Sequence, residues 1–233
     1  EGFVSDDYTT SSLIELACET DFAANTKDMR NFASTLTKES SNAKKMIESA
    51  EELLGLSVNG TDLNIQSMLD ELISKIAEKI IVSRTASFRT DDTGLTNLYI
   101  HPGSLLGVVI LLKADKAFSG EAREKIAALA KDICMQAAVT NPRSISSDSL
   151  DKAVLDAEMS VARAQLVASG KPEAIIDKIL LGKANKFYEE VCLLNQKFIK
   201  DDKVSVQQKI EQTEKETGIK LTISDYNRFG IGG

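Results

Sequence analysis

Residues 19–33 read ETDFAANTKDMRNFA, and they join a short β-like run, Ser12 to Cys18, to a helical pattern over about 27–38. Within that pattern Met29, Phe32, Ala33 and Leu36 fall at i, i+3, i+4 and i+7, one face of an amphipathic helix. Phe22 lies seven residues before Met29 and would join that face on a continuous helix. Asn25, Thr26, Lys27 and Asp28 intervene, however, and Thr20 or Asp21 is equally suited to cap a short first turn. The spacing alone favours Phe22 in the core, since aromatics at helical spacing usually pack inside. An apolar side chain held outward is the alternative.

Working outward, a second helical pattern covers 43–54, Asn59-Gly60-Thr61 marks a turn, and Ile65, Met68, Leu69, Leu72, Ile73, Ile76 and Ile80 keep one helical face apolar. Ile81 to Arg89 alternates as a strand, Asp91 to Gly94 turns, and Leu95 to His101 makes another strand. Pro102-Gly103 punctuates before the apolar run 105–113, which suits a buried strand. That run and the helical pattern at 121–139 repeat the strand-to-helix order of 12–38. Helices are predicted at 148–168, 172–181 and 183–195, with Gly170 and Gly182 as breaks. A further helix over 204–216 ends at Gly218, placed as a C′ glycine, and Lys220 to Phe229 closes as a strand. The predicted fold class is α+β: two α/β subdomains, 1–94 and 95–233, each a small antiparallel sheet packed with helices. The second carries a helical insertion over about 148–216.

Length allows a real core, in one large domain or two small ones. A net charge of −7 argues against a phosphate-tracking surface as the main function, so no direct nucleic-acid partner is expected. The lysines from Lys178 to Lys203 are interrupted by Asp177, Glu189, Glu190, Asp201 and Asp202, which reads as a solvated mixed-charge face. No apolar run is long enough to span a bilayer, and no membrane partner is expected. The opening on Glu1 rather than Met points to a processed or truncated product. Cys18, Cys134 and Cys192 are widely spaced in apolar surroundings and read as buried hydrophobes in a reducing compartment.

Chemistry is sparse. His101 is the only histidine, which excludes histidine metal clusters. Phosphate-loop, dinucleotide-binding and nucleophile-elbow motifs are absent, and carboxylate pairs such as Glu51-Glu52 and Asp201-Asp202 fall in polar stretches. No catalytic residue, metal site or cofactor is assigned, and the pattern suits a binding protein.

Several motifs then resemble one family, elongation factor Ts. Glu1-Gly2 looks like its E-G junction, and Cys18-Glu19-Thr20-Asp21-Phe22-Ala23-Ala24 is similar to its C-E-T-D-F-V-A signature. Tyr99-Ile100-His101 followed by Gly107-Val108 resembles its Y-x-H and G-V-L-V strand pair. Asp132 to Ala138 resembles D-I-A-M-H-I-A-A, with Gln136 in place of the histidine. Gly170-Lys171-Pro172, Gly182 to Phe187 and Leu194 to Phe198 resemble the helical region, and Tyr226 to Gly233 the closing strand and G-E-G. Each motif is weak alone; their order over nearly the whole chain is specific.

The resemblance implies an exchange core of two α/β subdomains, here without the family's short helical N-terminal domain, and therefore weaker binding than the full-length factor. It implies a guanine-nucleotide exchange factor, not an enzyme, whose partner is elongation factor Tu in translation elongation. The implied compartment is the bacterial cytoplasm, or alternatively a mitochondrial matrix or plastid. By resemblance, Thr20, Asp21 and Phe22 form the exchange element, with Phe22 an outward-held wedge near the partner's magnesium site. Ile76, Ala77 and His101 stand at the other contact positions, where Ala77 departs from the family glycine and Pro102 is unusual. Gly182, Lys183, Lys186 and Phe187 either touch the partner or are solvated. Two rival classes stay open: a binding-only module of the same fold, and an α+β enzyme using Asp21 and His101 as an acid/base pair. The helices at 148–195 pack within the chain or against a second copy as a homodimer.

Overall fold

The computed structural model describes residues 1–231, without the side chain of Ala174, so Gly232-Gly233 of the closing motif lie outside the described residues. Two compact units account for the chain: Glu1–Ala138 together with the stretch from Thr217 onward, and Val139–Glu216.

The first unit is built on two antiparallel sheets. One has the order β1 (Gly2–Val4), β2 (Thr10–Ala17), β3 (Ile81–Arg89). The other joins β4 (Gly94–Ile100), β5 (Leu106–Ala114) and β8 (Leu221–Gly230) in that order. Between β2 and β3 run α1 (Asp21–Ala24), α2 (Lys27–Asn42), α3 (Ala50–Leu54) and α4 (Ile65–Ile76). After β5 comes α5 (Gly120–Thr140). The α+β class expected from the sequence is therefore observed, and a division at 94/95 would fall one residue into β4, inside this first unit.

Strand alternation explains the layering. Successive side chains of a strand point to opposite faces, and β2 is buried on both. Ile14 joins Met29, Phe32, Leu36, Leu69 and Leu72 of the helical layer, and Ser12 donates to Thr37 O of α2 at 2.7 Å. Leu13 faces the other way, into a cluster with Ala86, Phe88, Val109 and Leu111 that joins the two sheets. There a Cβ on Gly107 would sit 2.6 Å from Leu13 Cδ1 and 2.8 Å from Ile100 Cδ1, so a larger residue would push these packed side chains aside. On the far face of the second sheet, Asn97 donates to Ala127 O of α5 at 2.8 Å, and Ile126, Ala130, Ile133 and Cys134 are buried. Burial in that apolar layer pushes the Cys134 thiol pKa up, so it remains a neutral thiol.

Several elements differ from the sequence expectation. The 43–54 pattern forms helix only at 50–54. Arg89 donates to Ser41 O and Ala43 O where α2 ends, and both backbone groups of Ile47 are held by the Ser87 hydroxyl. Backbone so engaged is unavailable for helix. The helix from Ile65 stops at Ile76 because Ala77 is left-handed, φ 61° and ψ 30°; Ile80 is still buried, but as the entry to β3.

The second unit contains the helical hairpin α6 (Lys152–Ala168) and α7 (Glu173–Val191), the two-stranded β6 (Lys197–Phe198) and β7 (Asp201–Ser205), and most of α8 (Val206–Thr217). Gly170, at φ 73°, ends the first arm as expected, and Gly218, at φ 69°, follows α8. Gly182 is no break: α7 runs through it without interruption. It faces open space, and one exposed glycine costs a helix about 1 kcal/mol, too little to stop a 19-residue helix. The helix expected from 148 begins at Lys152 behind an Asp151 cap, and Leu193–Asn195 is a separate 3₁₀ turn.

Candidate functional site

Thr20 opens a single helical turn. Its backbone is extended and its hydroxyl accepts from Ala23 N at 3.2 Å, an N-cap arrangement. Asn25 closes the turn five residues later, with its backbone N and its side-chain Nδ2 both donating to Asp21 O. Thr26 then caps α2 by accepting from Met29 N. Two short caps in succession break the helical phase between Phe22 and Met29. Only Ala23 of the turn is buried, at 3 % exposure, and that orientation sends Phe22 into solvent at 89 %. Asp21 is exposed beside it. The core placement that spacing favoured for Phe22 is thus overturned.

The end of α4 meets this turn. Ala77 N donates to Ile73 O at 2.8 Å, and its left-handed conformation turns the chain off the helix axis. Such a conformation costs a non-glycine L-residue about 1–2 kcal/mol. The next residue, Glu78, accepts from Thr20 N through Oε2 at 3.0 Å and from the Thr20 hydroxyl through Oε1 at 2.7 Å. Lys75 pairs with Asp28 at 2.8 Å, tying the last turn of α4 to the first turn of α2. Thr20, Asp21 and Phe22 are thereby brought beside Ile76 and Ala77, far apart in sequence. Ile76 is half-buried against the helical-layer core and Ala77 is exposed.

His101 lies elsewhere in the first unit, at the tip of the β4–β5 hairpin. His101-Pro102-Gly103-Ser104 closes with Ser104 N donating to His101 O at 2.9 Å. Proline at i+1 and Gly103 at φ 92° give the residue pattern of a type II turn. The unusual Pro102 thus fits its position. The Tyr99 hydroxyl lies 2.9 Å from His101 Nδ1, with the rings edge-to-face at 6.0 Å. Among the described residues Asp21 and His101 share no hydrogen bond or ion pair, so nothing joins them as an acid/base pair. Gln136 is fully buried in α5.

In the second unit Gly182, Lys183 and Lys186 are exposed on α7, whereas Phe187 is half-buried. Phe187 lines a shallow groove of ≈ 450 Å³ with Arg143, Val154, Ala157 and Val161. Among the described residues no group of three His, Cys, Asp or Glu side chains could hold a metal ion, and no helix is long and apolar enough to cross a membrane.

Sequence reasoning missed Glu78. It carries no periodic signal, because its role depends on a partner 58 residues away. The end of α4 was no more legible: Ile80 prolongs the periodic face past Ile76, and Ala77 is neither the glycine nor the asparagine that marks a helix end.

Comparison with known proteins bears on the whole chain. A family model described as elongation factor TS matches residues 19–233. Elongation factor Ts of Clostridium perfringens strain SM101 is 36% identical over 230 residues, covering 99% of this chain and 73% of that protein. The Clostridium kluyveri protein of the same name is 34% identical over 232 residues, with the same coverage. That of Chlorobaculum parvum is 34% identical over 231 residues, covering 98% of this chain and 77% of its own.

Proposed function

The chain belongs to the elongation factor Ts family of translation elongation factors, and from that membership we propose that it is a guanine-nucleotide exchange factor that docks on elongation factor Tu and speeds GDP release. The observation that carries this reading is Phe22, a large apolar side chain presented to solvent at 89 % by a turn anchored on its opposite side. A single exposed apolar side chain is ordinary on a protein surface; Phe22 stands apart by its size, its near-complete exposure and its place in the matched signature. The role needs no bond chemistry from the chain itself.

The mechanism follows from how a GTPase holds its nucleotide: backbone donors surround the phosphates and a Mg²⁺ ion bridges to them. Mg²⁺ demands near-ideal octahedral geometry. Phe22 wedged between partner helices beside that site, with Asp21 next to it, displaces the ion's ligands; loss of the ion leaves phosphate charge uncompensated. A ~10³–10⁴-fold faster release corresponds to a barrier lower by about 4–5.5 kcal/mol. Docking supplies that energy through Ile76, Ala77 and His101 of the first unit; Gly182, Lys183, Lys186 and Phe187 of the second unit are separate candidate contacts. Linkage makes the effect reciprocal, so bound GDP weakens docking by the same factor.

The test is the release rate of fluorescent GDP from elongation factor Tu in the presence of Mg²⁺, with the chain at saturation. The wild-type chain should accelerate release strongly. Phe22→Ala should remove about 10-fold or more of that acceleration while remaining folded. Binding with no acceleration by the wild-type chain would support the binding-only reading, which Ala77 in place of the family glycine favours.

A further inference from the structure

We infer that Glu78 is a positioning residue for the exchange element, a carboxylate clamp that holds the Thr20–Asn25 turn in its presenting conformation. The inference rests on the exchange reading above and adds a residue to which neither the motif nor the spacing pointed.

The argument starts from what holds the turn. The α1 segment has four residues, whereas isolated helices shorter than about 12–15 residues are marginal in water. Phe22 cannot fix it by packing, since that side chain is almost wholly exposed. Most of the hydrogen bonds that shape the turn are local: Thr20 to Ala23, Asn25 to Asp21, and Arg30 to Asn25 at 3.0 Å. They set its form; the last ties it to α2, which follows directly, and the buried Ala23 seats it on the core. Among the described residues, the hydrogen bonds that reach residues 20–25 from a distant part of the chain are the two from Thr20 to Glu78, at 3.0 and 2.7 Å; Cys18 and Arg30 reach them only from a few residues away. Hydrogen bonds to a carboxylate are shorter and stronger than neutral ones. These two engage the backbone and the side chain of one residue, so they fix its orientation as well as its place.

Strain next to the clamp points the same way. Ala77 holds a left-handed conformation without being glycine, and such strain persists only where the surroundings over-determine it. Its consequence is to leave the α4 helix one residue before Glu78 and so to set the carboxylate against Thr20. The same junction also presents Ile76 and Ala77. One bend therefore places two contact elements, and Glu78 locks one to the other.

Four variants test this: Glu78→Ala, Glu78→Gln, Thr20→Ala, and the double variant Thr20→Ala/Glu78→Ala. Two readouts are needed. Amide hydrogen exchange over residues 20–25 reads the clamp directly and does not depend on any partner. GDP release from elongation factor Tu, titrated with the chain, separates the maximal release rate from the half-saturating concentration. Glu78→Ala should speed exchange of the 20–25 amides by about 10-fold while β2 and β3 amides stay unchanged. It should also lower the maximal release rate more than it raises the half-saturating concentration. Glu78→Gln keeps one acceptor for the Thr20 amide and should restore most of both readouts. Removing Glu78 should cost less release in the Thr20→Ala background than in the wild type, because only the residue-20 amide bond to Glu78 remains there to be lost. Unchanged 20–25 amides in Glu78→Ala overturn the clamp. Lost protection with an undiminished maximal rate overturns its positioning role. A wild-type chain that fails to accelerate release, with the amides behaving as expected, places the failure in the exchange reading and not in the clamp.

Discussion

Phe22 and Phe32 stand ten residues apart, each followed by alanine, and the chain treats them in opposite ways. Phe32 is 4 % exposed, packed in the helical-layer core with Ala33 buried beside it. Phe22 is 89 % exposed while Ala23 is the buried member of the pair. Hydrophobicity does not separate them; helical phase does. Phe32 sits in a 16-residue helix whose stripe is continuous, whereas Phe22 sits in a four-residue turn closed by Asn25 before α2 starts at Lys27. A seven-residue spacing carries side chains to one face only if no cap intervenes. An apolar residue one cap away from a core stripe is free to face out.

The comparison can be broken most decisively at its buried end. Phe32→Ala should destabilise the first unit by about 3–5 kcal/mol, through lost burial and the cavity left behind. Denaturant unfolding followed by circular dichroism measures it, and a cost under about 1 kcal/mol would mean that the stripe is not the anchor described. An intermediate effect of opposite sign is expected at the junction that faces Phe22. Ala77→Gly relieves the left-handed strain but adds freedom to the unfolded chain, and should stabilise by about 0.5–1 kcal/mol in the same experiment. A destabilised variant would show that the Ala77 methyl has packing value at this bend. The smallest effect belongs to the exposed ring. Phe22→Ala should change unfolding free energy by less than about 0.5 kcal/mol, as surface substitutions do. A larger loss would return Phe22 to a structural role, and the drop in GDP release expected of this variant would then no longer isolate a contact with the partner.

Much of this was readable from pattern. The Met29-Phe32-Ala33-Leu36 face, the strands around 12–17, 81–89, 94–100 and 106–114, and the glycine ends at 170 and 218 all follow from local periodicity and turn chemistry. The misses have different causes. Residues 43–49 have helical spacing, but Arg89 and Ser87 claim their neighbourhood from another strand. Gly182 reads as a break, yet nineteen residues of helix outweigh one exposed glycine. For the site, the motif resemblance picked out Thr20, Asp21, Phe22, Ile76, Ala77 and His101, but spacing alone would have buried Phe22.

By itself, then, the sequence determined the order and type of most of the longer elements, the buried stripe of α2 and the family to which the chain belongs, because each is written in neighbouring residues. Tertiary structure alone decided that Phe22 faces solvent, that Ala77 bends left-handed and that Glu78 grips Thr20. Those outcomes depend on hydrogen bonds and packing between segments tens of residues apart, and no local period encodes which distant carboxylate will meet which hydroxyl.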